Sequence, residues 1–353
     1  MNPNLGVEKK AYICIFEKMF RLPKPHLPAQ TSAYPARIPV SKKMGNCCAK
    51  SLSLVVVRIA LLATAGSASG ADFFFNQTGE GNLADWNNWQ GGKLPSGYGN
   101  TFIGSSDLGS PRLVPVIANL NSDVTTWETG SLFLGQGGSG NATLNLNEVG
   151  SLQYGLVYIG RDGGAVGVLN QTGGTMRVNT GTFEILSGSS GSGTYNLSGG
   201  TLNTVTSGPM SISVGAAGAG VGYFNMSGGT LNAGSAPHEH SMNVGWGARG
   251  EATFSGGTAN LSGDFNAGNN ANGLITVSGS AMVNSKSVNV GLNAGAANSR
   301  LTVTGGTLAV TNGIRVANTS ALNISGGTIT ATGIEIASGS VMHRRHPECF
   351  RHH

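Results

Sequence analysis

The chain has 353 residues, of which 57 are glycine and 12 are proline. The absence of a strict Gly-X-Y period excludes collagen, and the 39% hydrophobic content argues against a disordered chain. The abundance of Gly, Ser, Thr and Asn argues against a long helical protein. The formal net charge of +5 comes from the two ends: residues 72–340 contain 8 basic and 13 acidic side chains, so the body has no positive excess with which to bind nucleic acid.

The first 71 residues have the character of an export signal. Residues 44–71 begin with a basic segment, continue through an apolar run interrupted by Arg58, and end in small residues, which is typical of a secretory signal peptide. The apolar run is too short and too impure for a transmembrane helix. We predict cleavage between Ala71 and Asp72, or one residue earlier. Residues 1–43 are then either sequence upstream of the true start or an unstructured extension.

The cysteines all lie outside the segment 72–340. They are Cys14, Cys47, Cys48 and Cys349. The exported body is therefore expected to contain no disulfide and no thiolate metal site, and we expect stacked backbone hydrogen bonds to hold it together instead.

The segment 72–130 differs in composition from the rest of the body. It contains three of the four tryptophans and three of the five prolines between 72 and 340. Because stacked repeats need atypical ends to shield their core, we interpret 72–130 as an N-terminal cap with the first strands.

Internal repetition dominates residues 131–340. A motif of the type Ser-Gly-Gly-Thr-Leu-Asn returns about every 25 residues. The residue that follows the glycine pair, or its counterpart in the weaker copies, is Ser151, Thr175, Thr201, Thr230, Thr258, Ala281, Thr307 and Thr328.

Each repeat contains three short segments in which apolar and polar residues alternate. Alternate side chains of a strand point to opposite faces, so each segment has one inward row, and the glycines between segments suit tight corners. A single repeat cannot bury that row alone. Stacking in register therefore predicts an all-β fold, a right-handed parallel β-helix of about eight or nine coils. An up-and-down β-sandwich is the alternative, but it does not predict a fixed period.

The last residues, 341–353, have a composition unlike the body. They contain four histidines and three arginines but no repeat motif. We expect a disordered tail here, and a frameshift or truncation is the leading explanation for it. The histidines of this tail could bind metal only adventitiously.

The segment DWNNWQGGKLPSGYGNTFIG (85–104), followed by SGGTLN-type coils, resembles secreted bacterial proteins with autotransporter-associated β-strand repeats. Similar repeats occur in exoproteins that carry a PEP-CTERM sorting tail. The resemblance covers residues 72–340 and implies a secreted or cell-surface location with an adhesive or structural role. The sequence departs from the pattern because it shows neither a C-terminal barrel nor a terminal anchor.

The outward position of the third strand predicts one column of side chains along the solenoid. Its members are Phe133, Tyr158, Glu184, Ser213, Asn243, Asn266, Asn289, Arg315 and Glu335. We expect Phe133 to stack on Tyr158. This pair is the best candidate contact for a sugar or a protein, although shielding of the coil edge under the cap is its preferred interpretation. We also expect an exposed amide ladder at the three asparagines, and Arg315 beside Glu335.

Three further patterns have competing interpretations. His238 and His240 could share a metal ion, but no third ligand follows them, so a surface loop insertion is the preferred interpretation. Eight Asn-x-Ser/Thr sequons occur. Four of them (Asn170, Asn196, Asn225 and Asn323) share one repeat position, which favours coil-to-coil stacking over glycosylation. The threonines do not form the uniform Thr-x-Thr face that an ice-binding surface would need.

These observations predict an exported, non-enzymatic surface or matrix protein without a cofactor or metal. Extracellular polysaccharide or cell-surface components are the expected partners. A polysaccharide lyase or hydrolase on the same fold is the alternative. The repeats weaken it because their few carboxylates fall at different repeat positions, so no pair is stacked for acid–base catalysis.

Overall fold

A computed structural model describes residues 72–96, 99–105, 115–121, 127–147, 150–179, 183–187, 190–204, 210–235, 238–344 and 350–352. These residues belong to the second of two compact units, 67–353. The expected extension at 1–43, the signal peptide, the cysteines and Ala71 lie outside the described residues.

Almost all regular structure is β-strand. In chain order the first strands are β1 (Phe73–Phe74), β2 (Glu80–Asn82), β3 (Thr101–Ser105), β4 (Val116–Leu120), β5 (Trp127–Gln136), β6 (Asn141–Leu146), β7 (Ser151–Arg161), β8 (Val166–Gln171), β9 (Thr175–Val178), β10 (Phe183–Ser187), β11 (Ser192–Leu197), β12 (Thr201–Thr204), β13 (Met210–Ala217) and β14 (Val221–Met226). The remaining strands are β15 (Thr230–Ser235), β16 (His238–Val244), β17 (Arg249–Phe254), β18 (Thr258–Leu261), β19 (Phe265–Ala267), β20 (Gly273–Val277), β21 (Met282–Ser285), β22 (Val288–Val290), β23 (Arg300–Val310), β24 (Gly313–Val316), β25 (Ala321–Ala331), β26 (Gly333–Ile336), β27 (Val341–Arg344) and β28 (Phe350–His352). Short 3₁₀ turns occur at Trp86–Asn88 and Ala294–Ala296.

The strands stack into a parallel β-solenoid of about eight turns with a period of about 26 residues, which confirms the predicted fold class. Three faces run along it. Face A contains β8, β11, β14, β17 and β20 and their neighbours in the stack. Face B contains β9, β12, β15, β18 and β21. Face C contains β10, β13, β16, β19, β22, β24 and β26.

Alternation along each strand fills the interior. In both β11 and β14 the second, fourth and sixth residues of the strand are buried, and the first, third and fifth face outward. Tyr195, Phe224 and Phe254 follow one another inside the coils, with ring centroids 5.5 and 5.6 Å apart. Burying each such ring stabilises the fold by about 1.5–3 kcal/mol before the loss of conformational entropy.

Stacking begins earlier in the chain than the visible repeats. β1 pairs with β3 in parallel register, and β3 pairs with β5, so 72–130 supplies strands of the solenoid itself. Between them Phe75, Leu83 and Trp89 pack under the first coil, and the Trp89 indole donates to the carbonyl of Leu83 at 2.9 Å.

The expectation of a disordered tail is wrong for residues 341–344. They form β27, whose Val341 to Arg344 pair in parallel with Ala321 to Ile324 of β25. Further on, β28 also pairs with β25. The composition of the tail concealed that apolar Val341 and Met342 can continue the edge of the stack.

One position of the predicted repeat alignment is wrong. Met282, and not Ala281, stands between Thr258 and Thr307 in the stack. The turn after Val277 has four residues, whereas the turn after Phe254 in the preceding coil has three, because the weaker motif lacks the glycine pair. The extra residue shifts the register by one.

Candidate functional site

The predicted column on face C has the register that the sequence indicated. Each of its nine residues pairs with the next, from Phe133 through Asn266 to Glu335. At its C-terminal end the exposed Arg315 and Glu335 side chains lie 3.7 Å apart, as expected.

The aromatic start of this column is longer than predicted. Phe74, Phe102, Phe133 and Tyr158 stack in succession, with ring centroids 4.9, 4.7 and 5.1 Å apart and nearly parallel planes. The Arg161 guanidinium lies 4.4 Å from the Tyr158 ring centroid and 5.0 Å from that of Phe133. Such stacked rings and cation–π contacts each stabilise the edge by about 0.5–1.5 kcal/mol.

This stack leaves little aromatic surface free for a ligand. Phe133 is only 7% exposed, since its two faces are covered by Phe102 and Tyr158. Tyr158 is partly exposed. Burial, and then the neighbouring Glu184 carboxylate, raise the pKa of Tyr158, whereas Arg161 acts in the opposite direction. Of the predicted pair, Tyr158 therefore has the surface that a partner could reach.

Asparagine ladders follow all three faces. On face A, Asn145, Asn170, Asn196 and Asn225 each donate from Nδ2 to Oδ1 of the asparagine one coil earlier, at 2.7–2.9 Å. Asn119 begins the row and donates to the Glu80 carboxylate at 2.6 Å. Three of the sequon asparagines thus stack as predicted, whereas Asn323 is separated from them by three threonine rungs.

Faces B and C have shorter ladders of the same kind. Asn203, Asn232, Asn260 and Asn284 form the row on face B, with bonds of 2.9–3.0 Å. On face C, Asn266 donates to Asn243 at 2.8 Å and Asn289 donates to Asn266 at 2.9 Å.

The expectation that the face C ladder is exposed is wrong. Asn266 is only 5% exposed and Asn243 is buried as well. Asn269, in the turn that follows β19, is itself buried and donates to Asn243 at 3.4 Å, so it folds over the ladder. The register is nevertheless correct, because Asn243 and Asn289 flank Asn266.

The interpretation of His238–His240 as a surface loop is wrong for His240. Gly234 and Ser235 pair antiparallel with Glu239 and His238, which forms a small hairpin between β15 and β16. The His240 side chain is fully buried, and its Nδ1 lies 2.9 Å from the Thr204 hydroxyl. This nitrogen therefore has a hydroxyl partner in the preceding coil.

Ionisable side chains of the repeats are dispersed and several form ion pairs. Lys286 Nζ lies 2.5 and 2.6 Å from the two oxygens of Glu239, and this hydrogen bond raises the pKa of Lys286. Arg249 lies 2.7 Å from Glu251. Among the described residues, no group of three or more His, Cys, Asp or Glu side chains is placed to hold a metal ion.

Sequence reasoning missed Trp246. Its side chain is 41% exposed in the turn between β16 and β17. The sequence contained an indication of its exposure, because Trp246 is the one tryptophan within the repeats and lies between two glycines.

A scan against protein-family models finds no match, and searches of curated proteins and of solved structures find none either. Within the part of the chain that the structure describes, no helix is long and apolar enough to cross a membrane.

Proposed function

We propose that the chain is an exported bacterial protein of the cell surface or extracellular matrix, with a structural or adhesive and non-enzymatic role. The proposal includes removal of a signal peptide before Asp72 and a relationship to proteins with autotransporter-associated β-strand repeats. Its partners are extracellular polysaccharides or other surface components.

The observation that carries the proposal is the set of side-chain ladders along the solenoid. Amides that could bind a ligand or assist a reaction instead bond to one another, coil after coil. Repeated backbone and side-chain bonds of this kind suit a scaffold that keeps its form without disulfides.

Export is tested by producing the full chain, with an internal epitope, in a Gram-negative host. We expect the protein in the medium or on the cell surface, and N-terminal sequencing should begin at Asp72. Retention of the whole chain in the cytoplasm would contradict the proposal. A variant with charged residues in place of Leu61 and Leu62, within the apolar run, is the control and should stay inside the cell.

The enzymatic alternative is tested separately with the purified chain and a panel of polysaccharides, with and without calcium. We expect no new reducing ends and no unsaturated products. Release of either would overturn the non-enzymatic role and favour a lyase or hydrolase.

A further inference from the structure

Trp246 presents an indole to solvent at one corner of the solenoid. The backbone there is closely packed, since the N–H groups of Gly247 and Ala248 donate to the carbonyl of Gly215 in the preceding coil at 3.0 and 2.9 Å. The indole itself is 41% exposed, and its Nε1–H donates to no group within the described ranges. A rigid backbone thus holds an aromatic surface and one free donor.

The turns of the next two coils contain asparagines at the same corner. The Asn270 N–H donates to the carbonyl of Trp246 at 3.1 Å, so the two residues occupy the same corner, about 4.8 Å apart along the stack. One coil further, Asn293 Nδ2 donates to Oδ1 of both Asn269 and Asn270 at 3.0 Å. These bonds fix the orientation of the two exposed amides, Asn270 and Asn293.

The same bonds leave one donor and one acceptor unused. Among the described residues, Asn270 Nδ2 and Asn293 Oδ1 have no hydrogen-bond partner. Asn293 also precedes the short 3₁₀ turn at Ala294–Ala296 without capping it. An exposed ring, a free donor and a free acceptor therefore belong to the same corner of three successive coils.

The corner of the coil before Trp246 is built from small residues. The corner of the preceding coil consists of Ala216, Ala217 and Gly218, of which the last two are exposed. Side chains of this size leave room for a ring-sized ligand beside the indole.

The corner carries few charges, and the exposed Arg300 begins the strand after the turn that contains Asn293. Arg249, three residues after Trp246, is in an ion pair with Glu251. A nucleic acid base can also stack on an indole, but the acidic excess of residues 72–340 disfavours its phosphates. The same argument disfavours acidic polysaccharides.

We propose that Trp246, Asn270 and Asn293 form a binding site for the pyranose rings of a neutral polysaccharide. The apolar C–H face of a sugar ring packs on the indole, while neighbouring hydroxyl groups accept from Asn270 Nδ2 and donate to Asn293 Oδ1. The proposal rests on the proposed function only in that an exported protein meets such a polymer outside the cell.

The test is affinity electrophoresis of the full chain in native gels that contain a soluble β-glucan, xylan, mannan or starch, with polygalacturonate as the acidic polymer. We expect at least one neutral polymer to retard the protein, and Trp246→Ala to weaken its binding by about fivefold or more. Trp246→Phe should retain part of the affinity, and Asn270→Ala and Asn293→Ala should each weaken it. Added NaCl should have little effect.

Trp86→Ala is the matched control, since Trp86 is 57% exposed and lies outside the repeats. It should bind as the unaltered chain does, and circular dichroism should show the same fold for all variants. Absence of retardation by every neutral polymer, preference for polygalacturonate or single-stranded DNA, or equal effects of the Trp246 and Trp86 substitutions would overturn the site. A chain that is exported but binds no neutral polymer refutes this site alone, whereas a chain that binds but stays in the cytoplasm refutes the proposed function.

Discussion

Replacement of Gln171 by leucine tests how the solenoid satisfies a polar group in its interior. Gln171 and Tyr195 are both fully buried, and the Tyr195 hydroxyl donates to Gln171 Oε1. Leucine is the natural choice because Leu146 and Leu197 occupy the same position in the adjacent coils. Gln171→Leu leaves the Tyr195 hydroxyl buried without this acceptor, which should lower the free energy of unfolding by about 1–3 kcal/mol.

The complementary change, Tyr195→Phe, leaves Gln171 Oε1 without its donor and should lower the free energy of unfolding by a similar amount. The double variant removes the bond between Tyr195 and Gln171 from both sides, although it also removes the bonds that Gln171 Nε2 donates to the carbonyls of Gly174 and Thr201 at 3.2 and 3.0 Å. Its loss of free energy of unfolding should therefore be clearly smaller than the sum of the two single losses. Urea unfolding followed by far-ultraviolet circular dichroism measures all four proteins. Additive losses in the double variant would refute the argument, because they would mean that each side chain is stabilised independently of the other.

Three further predictions follow from the described contacts. Gly160 has φ +70°, and a Cβ there would lie 2.2 Å from a carbonyl oxygen of the next coil. Gly160→Ala should therefore lower the free energy of unfolding by about 2 kcal/mol or more. Gly138 has open space around it, so Gly138→Ala should change the free energy of unfolding little in the same urea assay. Glu335→Gln should cost at most about 1 kcal/mol, and less at high NaCl, because its pair with Arg315 is exposed; a larger thermal shift would contradict this. Burial raises the pKa of the Tyr195 hydroxyl, so near pH 10 the unfolded chain loses the hydroxyl proton while the folded chain keeps it. Thermal stability should therefore fall above pH 10. It should fall less steeply in the double variant that combines Tyr195→Phe with Gln171→Leu.

The register of face C could be predicted from the sequence because two constraints act together. Period-two alternation fixes which side chain points outward, and a slip by one residue would expose a buried row. Ile314 and Val316, for example, pair with Val288 and Val290, so Arg315 must stand over Asn289. The constraint fails where a turn changes length without changing the apolar pattern, which is why the position of Met282 was wrong.

The N-terminal coils could not be predicted in the same way. Phe73 and Phe74 form a strand of two residues, and the chain between β1 and β3 contains a 3₁₀ turn and no Ser-Gly-Gly-Thr motif. Their place in the stack follows from pairing with Thr101 and Phe102, which is a contact between distant segments. A repeat search detects motifs, and these coils share only the geometry of the pairing.

The exposure of a side chain depends on how the corners run, which local alternation does not specify. Asn266 is outward by its register, yet the turn after β19 brings Asn269 over the ladder and buries it. At the corner of the preceding coil, Trp246 stays exposed. Two corners that differ by a few residues thus produce a closed amide ladder in one place and an open aromatic surface in the other.

The ladder on face A shows why such rows stabilise a solenoid more than their individual bonds suggest. Each asparagine donates toward the N-terminal end, so the amide dipoles point in one direction and polarise one another. The row ends on the Glu80 carboxylate, and an ionised acceptor makes a stronger hydrogen bond than a neutral one. A uniform direction requires every coil to have the same register, because an asparagine displaced by one residue would point into the core. The ladder therefore selects against slipped coils as well as stabilising the correct stack.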